Sequence, residues 1–535
     1  LLHGITGSGK TEVYMQLVSE MVERGRQVIV LIPEIALTYQ TLLRFYNRFG
    51  DRVSILNSNL SPGEKYDQCE RARNGEIDVI IGPRSALFVP FRNIGLIIID
   101  EEHEGSYKSE ASPKYHARET AIQVARLHGA SVLLGSATPS LESYYRAETG
   151  EYKLFTLKER LTGGQLPKVH TIDLRRELKE GNRSIFSRKL QELLADRLSK
   201  QEQSILFLNR RGYAGFVSCR SCGHVMKCPH CDVSLSEHSG GRGGQGTLMC
   251  HYCGYQEPKP RNCPKCGSPY ISGFKAGTQQ IEEKLREMFP GVRTLRMDGD
   301  TTRTKDSYER ILSAFMGGEA DVLIGTQMIV KGHDFPRVTL VGVLAADLSL
   351  SVGDYRAGEK TFQLLTQAVG RAGRGELAGE AVIQTYQPDH YAVIHAAAQN
   401  YGGFYKEEII YREMMGYPPA AHMLAVQIFA KVQDRGQTLA DSLASATRRN
   451  FGNLSEPDAV ESSPGACGES KGLQIVGPAP ASIGRINDIF RFVFYVKCPK
   501  YDKLVQIKDL LEEEMQKRQS ADELVQFDFN PMNTM

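Results

Sequence analysis

The chain has no apolar run of the roughly 20 residues that span a bilayer, and no leader pattern of charged, apolar and small residues at its start. A membrane-embedded or secreted role is therefore not expected, and a cytoplasmic one is. Charge of one sign is also missing. The 65 Lys and Arg against 63 Asp and Glu leave a net +2, which demands no polyanionic partner yet leaves room for a local basic groove. No internal repeat is present, and the one low-complexity patch, 239–246, reads as a flexible loop tip. Isolated cysteines are few: eight of the eleven fall in CxxC pairs. In a chain without secretory features that pattern favours metal over disulfides. Cys69, Cys467 and Cys498 read as inert buried thiols. What remains, 41% apolar and 24% charged over 535 residues, is the composition of a globular protein of three or four domains.

The chain is organised around His3-Gly-Ile-Thr-Gly-Ser-Gly-Lys-Thr11. Gly4-x4-Gly9-Lys10-Thr11 fits the P-loop pattern, a glycine-rich turn between a strand and a helix. Backbone N–H groups of Gly4, Ile5, Thr6, Gly7, Ser8 and Gly9 would face the phosphates of ATP. Lys10 would reach the β- and γ-phosphates, and Thr11 would give an oxygen to Mg²⁺. Gly7 and Gly9 let the backbone pass the phosphate with no Cβ in the way. Apolar residues from Glu12 onward recur at helical spacing, so a helix N-terminus should face the anion. Only Leu1-Leu2 stand for the preceding strand, so the chain reads as lacking its natural N-terminus. Downstream, Leu96-Ile-Ile-Ile-Asp100-Glu101-Glu102-His103 is an apolar run ending in acids. Such a run is a buried parallel strand delivering carboxylates to the edge where open α/β sheets bind ligands. Asp100 would hold Mg²⁺ through water and Glu101 would polarise the attacking water.

Strand and helix patterns alternate through Gln27–Glu34, Val53–Ser58, Asp78–Ser85 and Ser131–Ser140, giving a doubly wound lobe over residues 1–158. Residues 159–200 read as a connector with an amphipathic helix near Ser187–Leu198. A second α/β lobe is expected from residues 201–215 and 271–398, with helices at Thr278–Phe289, Thr304–Phe315 and Thr361–Val369 and strands at Val292–Met297, Asp321–Gly325 and Thr339–Leu344. Cys219-x2-Cys222, Cys228-x2-Cys231, Cys250-x2-Cys253 and Cys263-x2-Cys266 fill an insertion at 216–270. Eight thiolates suffice for two tetrahedral zinc sites, and spacing alone allows three pairings. A smaller α+β domain at 399–535 follows, with a polar loop near 453–470.

Two α/β lobes carrying a P-loop, Asp-Glu-Glu-His, Ser136-Ala137-Thr138 and Gly370-Arg-Ala-Gly-Arg374 together resemble a superfamily 2 helicase. The resemblance implies that Arg371 and Arg374 reach from the second lobe to the γ-phosphate as arginine fingers, and that Ser136-Ala137-Thr138 links hydrolysis to movement on a strand. The cysteine block narrows it. With Ile32–Thr38, Gly82-x-Arg-Ser-Ala-Leu-Phe88, Pro113-Lys-Tyr-His-Ala-Arg118, Phe207-x-Asn-Arg-Arg-Gly-Tyr213 and Gly325–Phe335, the chain resembles the primosomal protein N′ (PriA) family of bacterial replication-restart helicases. The family implies nested zinc sites, one from Cys219, Cys222, Cys263 and Cys266, the other from Cys228, Cys231, Cys250 and Cys253. It also implies a loop at 104–118 that senses single-stranded DNA. Tyr107, Lys108, Lys114, Tyr115, His116 and Arg118, with Arg84, would supply rings for bases and cations for phosphates. By the same resemblance the chain would be a DNA-dependent ATPase moving 3′ to 5′ at stalled forks. Its partners would be forked and single-stranded DNA, primosome proteins, single-stranded DNA-binding protein and the replicative helicase loader. The family's N-terminal DNA-binding domain is not seen, Asn57 stands where a histidine is usual, and Ala345 where an acid is. A non-catalytic primosome scaffold and a duplex translocase that separates no strands are the rival classes.

Overall fold

The computed structural model describes residues 1–535 except 34–38, 59, 162–165, 209–216, 231–232, 239–246, 251–252, 273–276, 300, 303–306, 331–334, 351, 376, 452–471, 519–521 and 534–535. Cys231, Cys467, the 239–246 and 453–470 loops, and parts of the Ile32–Thr38, Phe207–Tyr213 and Gly325–Phe335 stretches thus lie outside the described residues. The chain divides into two compact units. The first holds residues 1–210, 275–346 and 361–401, and the second 211–274, 347–360 and 402–535.

The first unit contains two parallel sheets. In one, β1 (Leu2–Gly4), β2 (Gln27–Leu31), β3 (Val53–Ile55), β4 (Val79–Gly82), β5 (Ile94–Asp100), β6 (Ser131–Ser136) and β7 (Phe155–Leu157) run in the order β3-β4-β2-β5-β6-β1-β7. The central strands β2, β4 and β5 are near-continuous Val and Ile because helices cover both faces, leaving no solvated side to call for alternation. Register then fixes the chemistry. Asp100 pairs with Gly135, and Leu2 and His3 pair with Gly135 and Ser136. The P-loop, the acidic strand end and Ser136 therefore leave the sheet at one edge.

The second sheet comprises β8 (Lys168–Asp173), β9 (Gln203–Leu208), β15 (Thr294–Met297), β16 (Val322–Gly325), β17 (Val338–Leu344) and β18 (Glu380–Thr385), in the order β15-β16-β9-β17-β18-β8. Strand β8 falls in the stretch read as a connector. It hides in the sequence because it is an edge strand without an apolar face. His170 Nε2 lies 2.7 Å from Glu380 Oε2, and Arg197 donates to the other Glu380 oxygen at 2.6 Å. Polar pairing of this kind blunts an open sheet edge.

The second unit joins the cysteine insertion to the C-terminal residues. Short strands β10 (Ser218–Cys219) and β14 (Ile271–Ser272) pair, as do β11 (Ser236–His238), β12 (Thr247–Met249) and β13 (Gln256–Pro258). An antiparallel sheet follows from β19 (His422–Ala430), β20 (Gln474–Ile486), β21 (Ile489–Cys498) and β22 (Glu523–Phe529), ordered β20-β21-β19-β22. Its period-2 alternation divides two cores. Leu424, Val426, Ile428, Phe492, Phe494 and Val496 pack against helices Gln433–Phe451 and Tyr501–Arg518. Met423, Ala425, Val493 and Tyr495 point the other way, into a core with Cys219, Cys228, Cys250 and Cys263. The thiolate module and the C-terminal sheet thus share one apolar interior.

Tyr355, from the 347–360 segment of the same unit, is built into that interior. The Tyr355 and Tyr417 rings stack with centroids 4.5 Å apart, and Lys497 Nζ sits 3.8 Å above Tyr417. Buried Arg412 donates to Glu408 at 2.7 Å, Glu359 at 3.0 Å and the Pro418 carbonyl at 2.7 Å. Charge this deep is tolerable because each guanidinium nitrogen has an acceptor and two of the three acceptors are carboxylates.

Candidate functional site: a nucleotide cleft and thiolate clusters

Strand β1 ends at Gly4 and the helix Lys10–Glu23 starts six residues on, with Gly7 and Gly9 at φ of +82° and +84°. Left-handed backbone is one reason for glycine there. Crowding is a second: a Cβ on Gly9 would lie 2.5 Å from Leu161 Cδ1. Lys10 Nζ donates to the Gly4 carbonyl at 3.0 Å, folding the ammonium across the mouth of the loop. Tyr14, one turn into the helix, donates to Asp100 Oδ1 at 2.9 Å. Burial and the neighbouring Glu101 carboxylate push the Asp100 carboxyl up to about 6, against the pull of Lys10. A divalent cation would relieve that cost.

Glu101 stands in left-handed backbone at φ +47°, which is sterically unfavourable for a side-chain-bearing residue. Its Oε2 is buried without a hydrogen-bond partner. Strained backbone and a carboxylate oxygen without a hydrogen bond, 3.6 Å from His103 Nδ1, thus stand beside the phosphate loop. The donor set, loop and carboxylates fit MgATP.

His103 bridges the lobes. Its Nδ1 lies 2.7 Å from Ser136 Oγ and its Nε2 lies 2.8 Å from the Gln367 amide nitrogen. An amide donor makes Nε2 the acceptor, so the ring proton sits on Nδ1 and points at Ser136. Ser136 Oγ also accepts from Thr138 N at 3.0 Å. Gly370, at the end of the helix Ala357–Val369, lies against the P-loop; a Cβ there would come 2.9 Å from Thr6 Oγ1. Arg374 Nε donates back to the Gly370 carbonyl at 3.0 Å, and Arg371 is close enough to Tyr308 to act on that phenol's charge. The loop, the acidic strand end, Ser136 and the arginine turn therefore meet in one place.

The expected DNA-facing residues divide. Tyr107 is buried, its hydroxyl 3.0 Å from the Leu31 carbonyl and 2.7 Å from that of Asp100, so its ring is part of the core and corrects the stacking role expected of it. Arg118 is buried too. Its Nη1 donates to Ser140 and Ser143 at 2.9 Å each and pairs with Glu102 at 3.3 Å, a commitment that corrects its reading as a phosphate contact. Glu102 in turn accepts from Ser140 N at 2.7 Å, tying the acidic strand end to the turn after Thr138. Sequence gives no sign of this network beyond a second acid and two serines. Replacing Arg118 with Met should cost about 3–5 kcal/mol in denaturant unfolding, because Glu102 would be left charged and buried. Lys108 is buried, and His116 caps the helix Ala117–His128 by accepting from Arg118 N at 3.2 Å. Arg84 donates to the carbonyls of Ser106 at 2.8 Å and Lys108 at 2.7 Å, bracing the loop. Lys114 and Tyr115 stay partly exposed. Tyr115 meets Phe88 edge-on with centroids 5.3 Å apart, and Phe88 is 60% exposed. Phe88 closes the Gly82–Phe88 motif, in which the sequence points only to Arg84.

In the second unit, Sγ atoms of Cys219, Cys222, Cys263 and Cys266 lie within 4.8 Å of one another, as do those of Cys228, Cys250 and Cys253. Separations are 3.6 Å for Cys219–Cys266 and Cys222–Cys263, and 3.5 Å for Cys228–Cys253. The thiolate edge of a zinc tetrahedron is about 3.8 Å, so the clusters fit that ion. The outer pairs join each other and, among the described residues, Cys228 joins the Cys250–Cys253 pair, as the nested arrangement requires. Local sequence makes the knuckles: Gly223, Gly254 and Gly267 follow their second cysteines at φ of 75°, 81° and 72°. Each returns its N–H to the first cysteine's carbonyl at 2.8–2.9 Å. Of the isolated cysteines, Cys498 is buried, whereas Cys69 is only half-buried, on a helix with a mostly polar surface. Among the described residues no helix is long and apolar enough to cross a membrane.

Residues 1–147 match the DEAD/DEAH box helicase family, 270–376 the helicase conserved C-terminal domain, 228–258 the PriA DNA helicase Cys-rich region domain and 413–532 the primosomal protein N C-terminal domain. Replication restart protein PriA of Bacillus subtilis is 46% identical over 536 residues, which cover 100% of this chain and 64% of that protein. Its counterpart in Treponema pallidum is 34% identical over 534 residues, covering 100% of this chain and 77% of the relative. A solved structure of RecG bound to a three-way DNA junction aligns at a TM-score of 0.41 and 19% identity, over 74% of this chain and 43% of that one. The chain thus spans a little under two thirds of the Bacillus relative's length. With helicase matches over 1–147 and 270–376, Cys-rich and C-terminal matches over 228–258 and 413–532, and an alignment of the whole chain to 77% of the Treponema protein, this chain belongs to the PriA family of replication restart proteins.

Proposed function

We propose that the chain is an ATP-driven DNA helicase that moves 3′ to 5′ on single-stranded DNA at stalled replication forks and prepares them for primosome assembly. One observation carries the motor reading. The P-loop and acidic strand end of the first lobe meet the arginine turn of the second, through Gly370 on Thr6 and Gln367 on His103. Bound MgATP would supply the phosphoryl bond whose hydrolysis drives the lobes. The P-loop N–H groups and Lys10 would hold its phosphates, Thr11 and Asp100 the cation. Glu101 would take the proton of the attacking water, and Arg371 and Arg374 would stabilise charge on the leaving phosphates. His103, bonded on both nitrogens, would report the state of the cleft to Ser136 and onward to the strand-facing surface.

Tyr115, Phe88 and Lys114 are the side chains best placed for single-stranded DNA, since rings with an open face stack on any base. Two Zn²⁺ ions on the eight cysteines would hold the insertion as a duplex-facing surface. Primosome proteins, single-stranded DNA-binding protein and the replicative helicase loader are partners proposed from the family alone. A scaffold role without catalysis is disfavoured by the strained Glu101 and by the intact Lys10, Asp100 and paired arginines. The test is ATP hydrolysis by the full chain with and without forked DNA, beside Lys10→Ala. DNA should raise the rate at least tenfold, and the variant should show none of it. Hydrolysis indifferent to DNA would remove the helicase reading, and no hydrolysis by folded, zinc-replete protein would favour the scaffold.

A further inference from the structure

Residues just after β7 lie across the P-loop, and no phosphate-binding pattern in the sequence points to them. Ile5 N donates to the Leu157 carbonyl at 3.2 Å, and Leu161 N donates to the Gly7 carbonyl at 3.1 Å. The Leu161 side chain occupies the space a Cβ on Gly9 would need. Between these anchors the Arg160 side chain runs along Gly7, its Cγ and Cδ 3.7 and 3.9 Å from where a Gly7 Cβ would stand. Its Nη1 then donates to the Gly373 carbonyl at 3.1 Å, the residue immediately before Arg374. Arg160 is only 9% exposed. A single side chain therefore spans from the phosphate loop of one lobe to the arginine turn of the other.

Its charge is in an unusual setting. Burial and the nearby Arg374 guanidinium both disfavour the charged form of Arg160, and Lys10 stands on the same loop. Gathering cations in a partly dry site is unfavourable unless an anion is placed among them. A triphosphate brings more negative charge to that point than a diphosphate does. A purely structural arginine would answer to both nucleotides alike.

We propose that Arg160 is a positioning residue of the nucleotide site, seating the Gly373–Arg374 turn on the P-loop in response to the γ-phosphate. The proposal rests on the ATPase reading above. It acts through Arg374, and its signature is discrimination between nucleotides. The experiment is equilibrium binding of a fluorescent non-hydrolysable ATP analogue and of fluorescent ADP, both with Mg²⁺, to the full chain and to Arg160→Gln. The wild-type chain should prefer the triphosphate. Arg160→Gln should reduce that preference by about ten- to a hundredfold, the scale of a lost charge-assisted hydrogen bond, while leaving ADP affinity within about twofold. Arg160→Lys, which keeps the charge and loses the fork geometry, should fall between them, and it carries the same comparison should the glutamine variant not fold. Equal losses for both nucleotides, or an unchanged preference, would overturn the proposal. A wild-type chain that binds neither nucleotide would instead remove the ATPase reading beneath it, a result distinct from any Arg160 effect.

Discussion

Glu101→Gln lowers ATP turnover by about a hundred- to ten-thousandfold, the range a positioned general base supplies, and leaves nucleotide binding nearly intact. The expectation follows from how Glu101 is held. Its backbone sits at φ +47° and its Oε2 is buried without a hydrogen-bond partner, so the fold bears a cost at this residue that stability alone does not explain. Glutamine keeps the shape and removes the basicity. Loss of turnover at unchanged affinity would mark an interaction made only in the transition state. The measurement is single-turnover hydrolysis set beside binding of a non-hydrolysable analogue. A parallel fall in affinity would show instead that Glu101 shapes the loop rather than the reaction.

The second large effect is expected from metal removal. Structural zinc contributes roughly 10–16 kcal/mol in isolated finger peptides, as much as the whole stability of an ordinary domain. In a free-standing module its loss would unfold about fifty residues and no more. Here Cys219, Cys228, Cys250 and Cys263 are buried in the same core as Met423, Ala425, Val493 and Tyr495. Chelation should therefore loosen β19 and β21 as well as the knuckles. Amide exchange checks this. Protection in 423–429 and 491–497 should fall when zinc is stripped and return when it is restored, while the two parallel sheets of the first unit keep theirs. Loss confined to the cysteine insertion would show that the shared core does not couple them.

Much of this was legible in the sequence, for physical reasons. Buried parallel strands are uniformly apolar, so β2, β4, β5 and β17 could be read directly, and the glycine pattern of the P-loop reports backbone conformation. Four CxxC pairs report a metal whatever their fold. What stayed hidden depends on tertiary placement. The polar edge strand β8 has no periodicity to betray it. Tyr107 and Arg118 have the composition of nucleic-acid contacts, yet their partners, Asp100, Glu102 and Ser140, turn them inward. Arg160 lies in a stretch with no recognisable pattern, and its importance appears only when Gly7 and Gly373 are brought to either side of it. The union of the cysteine insertion with the C-terminal sheet was hidden for the same reason, since some 150 residues separate them along the chain.

That union has a temporal consequence. A ribosome delivers the cysteines long before β21, and at about 5–20 residues per second the interval between Cys228 and Tyr495 amounts to tens of seconds. Through that time Val233, Leu235 and Leu248, all buried in the finished protein, have no sheet to lie against. Early metal capture can shape the knuckles but cannot cover them. The nascent chain therefore exposes a sticky, half-built face until almost its last segment emerges. Premature termination anywhere between β14 and β21 would leave a product with intact thiolate clusters and nothing to shield them, the kind of species that holdase chaperones and proteases intercept.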